Sequence, residues 1–181
     1  MLSIEDLSVR IAGRLLIEGA DVRIPEGSRI GLVGRNGTGK STLISVLVGE
    51  TAPEVRTVGQ VRTMGALGYL PQVPKPEGLG VDPLGFSHVL SGRGLDRLDE
   101  QVTEARDAMA ADPSAEAIER FTSLEEEYGN RGGYEAEATM ARLADGLGLR
   151  QDLLFADITS LSGGQRRRVD IIRLLFQQPE V

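Results

Sequence analysis

The octapeptide Gly34-Arg35-Asn36-Gly37-Thr38-Gly39-Lys40-Ser41 constrains this chain more than any other stretch. It fits G-x-x-x-x-G-K-[ST], and each position has a physical reason. Glycines let the backbone curl until successive N–H groups point inward at one anion. Lys40 adds a point charge for the outer phosphates, and the Ser41 hydroxyl is placed to ligate Mg²⁺. Such a loop needs an apolar strand leading in and a helix leading out, with the positive end of the helix on the anion. Residues 29–33, RIGLV, form a short apolar run bounded by turn residues, as expected of a buried central strand. The following TLISVLVG sets Leu43, Val46 and Leu47 on one helical face, with Gly49 as the C-cap. The pattern implies an α/β fold that binds a nucleotide.

The flanking sequence is compatible with such a fold. LSIEDLSVRI and RLLIEGADVRI alternate like β-strands around a turn at Ala12-Gly13, and Pro25-Glu26-Gly27 reads as a second turn. GETAPEVRTVG is loop-like, QVRTM and ALGYL are further strand candidates, and residues 71–85 read as a Pro- and Gly-rich linker. The single His88, three residues past Gly85, reads as part of this Gly-rich linker, with no carboxylate or second His near it in sequence, and as an incidental surface residue.

The middle of the chain changes character. Residues 84–150 carry 14 acids against 7 bases of the chain's 27 and 20, so all of the net charge of -7 resides there. Leu95, Leu98, Val102, Ala105 and Met109 make one helical stripe. Asp112-Pro113 then reads as an N-cap and first helical residue. Ile118, Phe121, Leu124 and Tyr128 form the stripe of a second helix, and Met140, Leu143 and Leu147 that of a third. A helical hairpin with one sealed seam accounts for the first two. With no Cys, disulfides, thiolate metal sites and Cys nucleophiles are excluded. No run approaches the ~18 consecutive apolar residues of a membrane span, and the acidic N-terminus does not resemble a secretory signal. Acidity of this degree makes the chain a poor general polyanion binder.

A second anion site stands late in the chain. Leu161-Ser162-Gly163-Gly164-Gln165 precedes a helix in which Val169, Ile172 and Phe176 recur at helical spacing. Arg166, Arg167 and Arg168 crowd its first turn against the dipole, as if facing something negative or pairing with the acidic segment.

Two anion loops in this order, with Gln72 of LGYLPQ between them, resemble the ATP-binding cassette (ABC) superfamily over essentially the whole chain. GRNGTGKS is similar to the Walker A loop, LSGGQ to the signature, and Gln72 to the Q-loop glutamine. The resemblance implies a P-loop NTPase fold, an ABC nucleotide-binding domain with an inserted α-helical subdomain. Residues 1–83 would be the ATP-binding core, 84–150 the helical subdomain with an arm-like hairpin, and 151–181 the signature loop and helix. ATP and Mg²⁺ are the implied cofactors. Gly34, Arg35, Asn36, Gly37, Thr38, Gly39, Lys40, Ser41, Thr42 and Gln72 are the implied contacts, with Ser41 and Gln72 toward the metal. Leu161, Ser162, Gly163, Gly164 and Gln165 would touch a nucleotide held by a second cassette.

The insert before the signature looks like the arm of the ABC-F proteins, tandem-cassette ATPases of the cytoplasm that act on the ribosome. A transporter's nucleotide-binding subunit and a non-catalytic ATP-binding fragment are the alternative readings. Two departures from the family pattern stand out. No aromatic lies near Ile11, where many cassettes stack adenine, and Pro179-Glu180-Val181 occupy the position where a Walker B strand begins. The 181 residues are therefore expected to grip ATP without hydrolysing it, and to be marginally stable with the edge of residues 29–33 exposed.

Overall fold

Strands β1 (Leu2–Ile11) and β2 (Arg14–Ile24) form a hairpin with the bounds that alternation predicts. Ala12 and Gly13 both take positive φ, 46° and 83°, the geometry of a two-residue turn that matches strand twist. The computed structural model describes residues 1–72 and 83–181. Its chain divides into two units, Met1–Tyr69 with Pro179–Val181, and Leu70–Gln178.

In the first unit β3 (Val55–Thr63) pairs antiparallel with the other edge of β1, giving the order β2-β1-β3. The inward residues of β1 are Leu2 and Ile4, then Leu7 and Val9, so the period of two slips by one residue in mid-strand. A bulge absorbs the slip. Asp6 takes φ 47°, its N–H donates to Asp21 Oδ1 at 2.9 Å, and the register with both neighbours shifts there. Gly59 on β3 has φ 96°, and a Cβ there would lie 2.2 Å from the Asp6 carbonyl oxygen, so only glycine fits. Helix α1 (Lys40–Leu47) covers the inner face with Val46, Leu43 and Leu47. Gly49, at φ 78°, follows its end and donates to the Val46 carbonyl.

Three expectations for this unit are corrected. Residues 29–33 are not a strand, and among the described residues nothing pairs with them; Ile30 is 62% and Val33 93% exposed. A short apolar run becomes a buried strand only between neighbours, and both edges of β1 are already taken by β2 and β3. ALGYL is not a strand either, although the Ala66 carbonyl accepts from Glu180 N–H and Gly68 N–H donates to the Val181 carbonyl. The loop-like GETAPEVRTVG instead enters β3 at Val55, where pairing with Ile11 overrides its local composition.

The second unit is helical. Helices α2 (Gly85–Leu90), α3 (Leu95–Ala111), α4 (Ala115–Asn130), α5 (Ala136–Gly146) and α6 (Gly163–Gln177) enclose one core. Leu95, Leu98, Val102 and Ala105 bury the expected stripe of α3, Met140 and Ala144 that of α5, and Val169, Ile172 and Phe176 that of α6. Helices α3 and α4 pack together, with the Arg106 guanidinium 5.8 Å from the Phe121 ring centre. Burial, then the Asp99 carboxylate, push the Tyr128 phenol of α4 up to about 12, so its hydroxyl stays a donor to Asp99. Ile118 is exposed rather than part of the α4 seam.

The cap of α4 is Ser114, whose hydroxyl accepts from Ala117 N–H, rather than Asp112. Asp112 closes α3, donating its N–H to the Ala108 carbonyl, so it is spent before α4 begins. Most of the expected linker, residues 73–82, lies outside the described residues, and its last residue Gly85 opens α2. His88 is therefore helical and buried, with Nε2 3.0 Å from Asp170 Oδ1 on α6. Sequence distance hid that carboxylate. Among the described residues no helix is long and apolar enough to cross a membrane.

Candidate nucleotide-binding site

The loop of Gly34 to Gly39 leads directly into α1, and its chemistry is one-sided. No acid occurs from Gly34 to Thr42, none lies in the first turn of α1, and no side chain caps that helix. The first N–H groups of an α-helix have no intrahelical acceptor, so this terminus offers donors and a positive dipole end with no acid in its own loop or first turn to answer them. Gly37 and Gly39 take φ 80° and 93°, conformations that L side chains rarely adopt. A Cβ on Gly39 would also lie 2.9 Å from Leu16 Cδ1, and one on Gly34 3.1 Å from Thr38 Oγ1. The Thr38 hydroxyl donates to the Arg35 carbonyl at 2.8 Å and tightens the turn.

Lys40 lies across this loop. Its ammonium donates to the Gly34 and Arg35 carbonyls, each at 2.8 Å. Ser41, the next residue of α1, is exposed, as are Arg35 and Asn36. The set is rich in donors, cationic and open, which fits a polyphosphate. Ser41 carries a hydroxyl, the kind of oxygen donor that a hard cation accepts.

In the second unit Leu161-Ser162-Gly163-Gly164-Gln165 forms the entry to α6. Ser162 and Gln165 make a reciprocal capping box: the Gln165 N–H donates to Ser162 Oγ at 3.4 Å, and the Ser162 N–H to Gln165 Oε1 at 2.9 Å. The S-x-x-Q spacing was the sequence signal for it. Neither Gly163 nor Gly164 has positive φ, and a Cβ on either would meet nothing within 4 Å. Their smallness serves no packing against the described residues. Ser162→Ala is expected to destabilise the second unit by about 1 kcal/mol through loss of the cap. Urea unfolding followed by helical circular dichroism measures this, and an unchanged midpoint would contradict the box.

Gln72 is exposed and follows Pro71, whose carbonyl accepts from the Arg167 guanidinium. Arg168 donates to the Gly148 carbonyl at 3.2 Å. Each of these two arginines thus donates to a backbone carbonyl, and the carbonyl that Arg168 holds lies within the acidic segment of residues 84–150. Arg166 Nε is buried with no hydrogen-bond partner among the described residues. Sequence alone gave no signal for either backbone contact.

The family model described as "ABC transporter" matches residues 17–181. The chain belongs to the ABC transporter family. Its fold is that of an ABC ATPase domain, an α/β assembly that binds ATP. Over 187 aligned residues and 99% of its length it is 33% identical to the tylosin resistance ATP-binding protein TlrC of Streptomyces fradiae, covering 33% of that protein. It is 35% identical to the energy-dependent translational throttle protein EttA of Haemophilus influenzae, over 86% of this chain and 27% of that one. ABC transporter F family member 4 of Arabidopsis thaliana is 29% identical over 98% of the chain and 24% of its own. These relatives are ABC-F proteins, the subfamily that the sequence resembles. The ABC chain spans about a third or less of their length. Among solved structures, a metal-chelate type ABC transporter in an inward-facing conformation shares the fold, with TM-score 0.57 and 21% identity over 98% of this chain and 57% of that one.

Proposed function

We propose that this chain grips Mg-ATP as part of an ABC-F ATPase that acts on the ribosome from the cytoplasm. The observation that carries the nucleotide half is the acid-free, uncapped start of α1 with the Lys40 ammonium folded onto its loop. In this reading the loop of Gly34 to Thr42 holds the phosphates, Lys40 their outer charges, and Ser41 and Gln72 the Mg²⁺. Ser162, Gly163 and Gly164 face a nucleotide held by a second cassette. The space left open around Gly163 and Gly164 by the described residues supports that assignment, because close approach by an outside group explains glycines that those residues do not require. Residues 1–83 act as the ATP-binding core, 84–150 as the helical subdomain and 151–181 as the signature segment.

The ribosomal half rests on the relatives, one a translational throttle protein and another a tylosin resistance protein. Cosedimentation with ribosomes in the presence of a non-hydrolysable ATP analogue tests it. Pelleting that depends on the analogue and weakens with salt is the expected result. A chain of net charge -7 has little non-specific attraction for RNA, so pelleting at moderate salt is informative. Absence of pelleting at low salt would remove the ribosome from the reading and leave ATP binding intact.

A further inference from the structure

The buried His88 has no part in the site as described, yet it is held against the signature helix. Its side chain is 10% exposed, and Nε2 lies 3.0 Å from Oδ1 of Asp170, whose side chain is 16% exposed. A carboxylate accepts only, so the ring proton between them resides on Nε2. Nδ1 is buried without a partner among the described residues, so the ring's orientation is set from one side.

More contacts of the same kind follow toward the end of α6. Arg173 Nε donates to Ser91 Oγ at 3.0 Å, and Ser91 Oγ donates to the His88 carbonyl at 2.7 Å. Arg93 Nε donates to the Phe176 carbonyl at 2.6 Å, while a Cβ on Gly92 would lie 3.0 Å from the Arg173 carbonyl oxygen. Residues 88–93 therefore brace one side of α6 with directional bonds. The contacts of α6 through Val169, Ile172 and Phe176 are apolar and fix its rotation less sharply. The His88–Asp170 bond is the part of the brace nearest the signature, about two helical turns from the Ser162 cap.

We propose that His88 is a positioning residue for the signature loop: by holding Asp170 it fixes the rotation of α6 and the direction in which the Ser162–Gln165 terminus presents its donors. Without the Nε2–H, a largely buried carboxylate loses its donor and must turn toward solvent, taking the helix with it. The functional consequence rests on the reading of that terminus as a contact to the second cassette's nucleotide.

Two experiments test it. His88 is the one histidine of the sequence, so its ring signals are assigned without ambiguity. Long-range proton–nitrogen spectra of the 181-residue chain should show the Nε2–H tautomer in wild type and in Asp170→Asn, which keeps an acceptor. Asp170→Ala should lose this preference; an Nδ1–H tautomer in wild type overturns the proposal. In the full-length protein, His88→Phe should lower kcat for ATP roughly ten- to a hundredfold, the scale of a small misplacement, with KM within about twofold. His88→Gln, which retains a donor, should recover most of the loss. A change in KM instead of kcat, or a Gln variant no better than Phe, overturns the proposal. Ser162→Arg is the control for the underlying reading. If it lowers kcat and His88→Phe does not, the positioning role alone fails; if it leaves kcat unchanged, the signature reading fails and this inference with it.

Discussion

Lys40→Ala is expected to weaken ATP binding by roughly ten- to a hundred-and-fifty-fold, equivalent to the ~1.5–3 kcal/mol of a hydrogen bond to a charged group. Lys40 is the one cation in the loop besides Arg35, and it is the one whose ammonium contacts the loop's own carbonyls. Those two bonds are exposed and bridge residues of a single turn, so their loss should cost the fold little. Lys40→Arg should not restore affinity, because a planar fork does not replace a compact ammonium inside a tight turn. Calorimetric titration of the chain with Mg-ATP measures the effect. A loss below twofold would mean that the nucleotide does not sit on this loop.

Phe176→Ala should produce the largest change in stability, about 3–5 kcal/mol by the precedent of buried aromatic truncation. The residue is 1% exposed, with the Arg93 guanidinium 4.3 Å from the ring centre. Truncation therefore opens a cavity in the core of the second unit and removes a cation–π contact at once. A domain holds only ~5–15 kcal/mol in total, so the variant should lie close to its unfolding threshold. Ile118→Ala on α4, where the side chain is 46% exposed, is the control and should cost about 0.5 kcal/mol or less. Denaturant unfolding followed by helical signal separates the two, and equal midpoints would contradict the packing described.

The parts legible from sequence are those whose cause is local. β1 and β2 alternate around a two-residue turn, and the stripes of α3, α5 and α6 recur at helical spacing, so their bounds follow from nearby residues. The Gly34–Ser41 loop was legible because its donors are contiguous. Other features depend on partners distant in sequence. Residues 29–33 have the composition of a central strand but no neighbour among the described residues, and Val55 became a strand residue through its pairing with Ile11. His88 looked isolated because Asp170 is remote along the chain, and helix packing alone joins them. Ser114 and Ser162 differ from these. Both helix caps were written in local spacing, and the first was obscured by the equally plausible Asp112-Pro113 beside it.

The central place of β1 has a consequence for the order of assembly. Its pairing with β2 closes over two residues, a microsecond event in small hairpins, whereas pairing with β3 must first bring in everything between Ile24 and Val55. That intervening chain is the phosphate loop and α1. The entropic cost of the second closure is the cost of a loop that contains the proposed phosphate site, so nucleotide bound there early would shorten the free chain and hasten the arrival of β3. In this topology the ligand would act on the folding rate of the sheet as well as on its final stability.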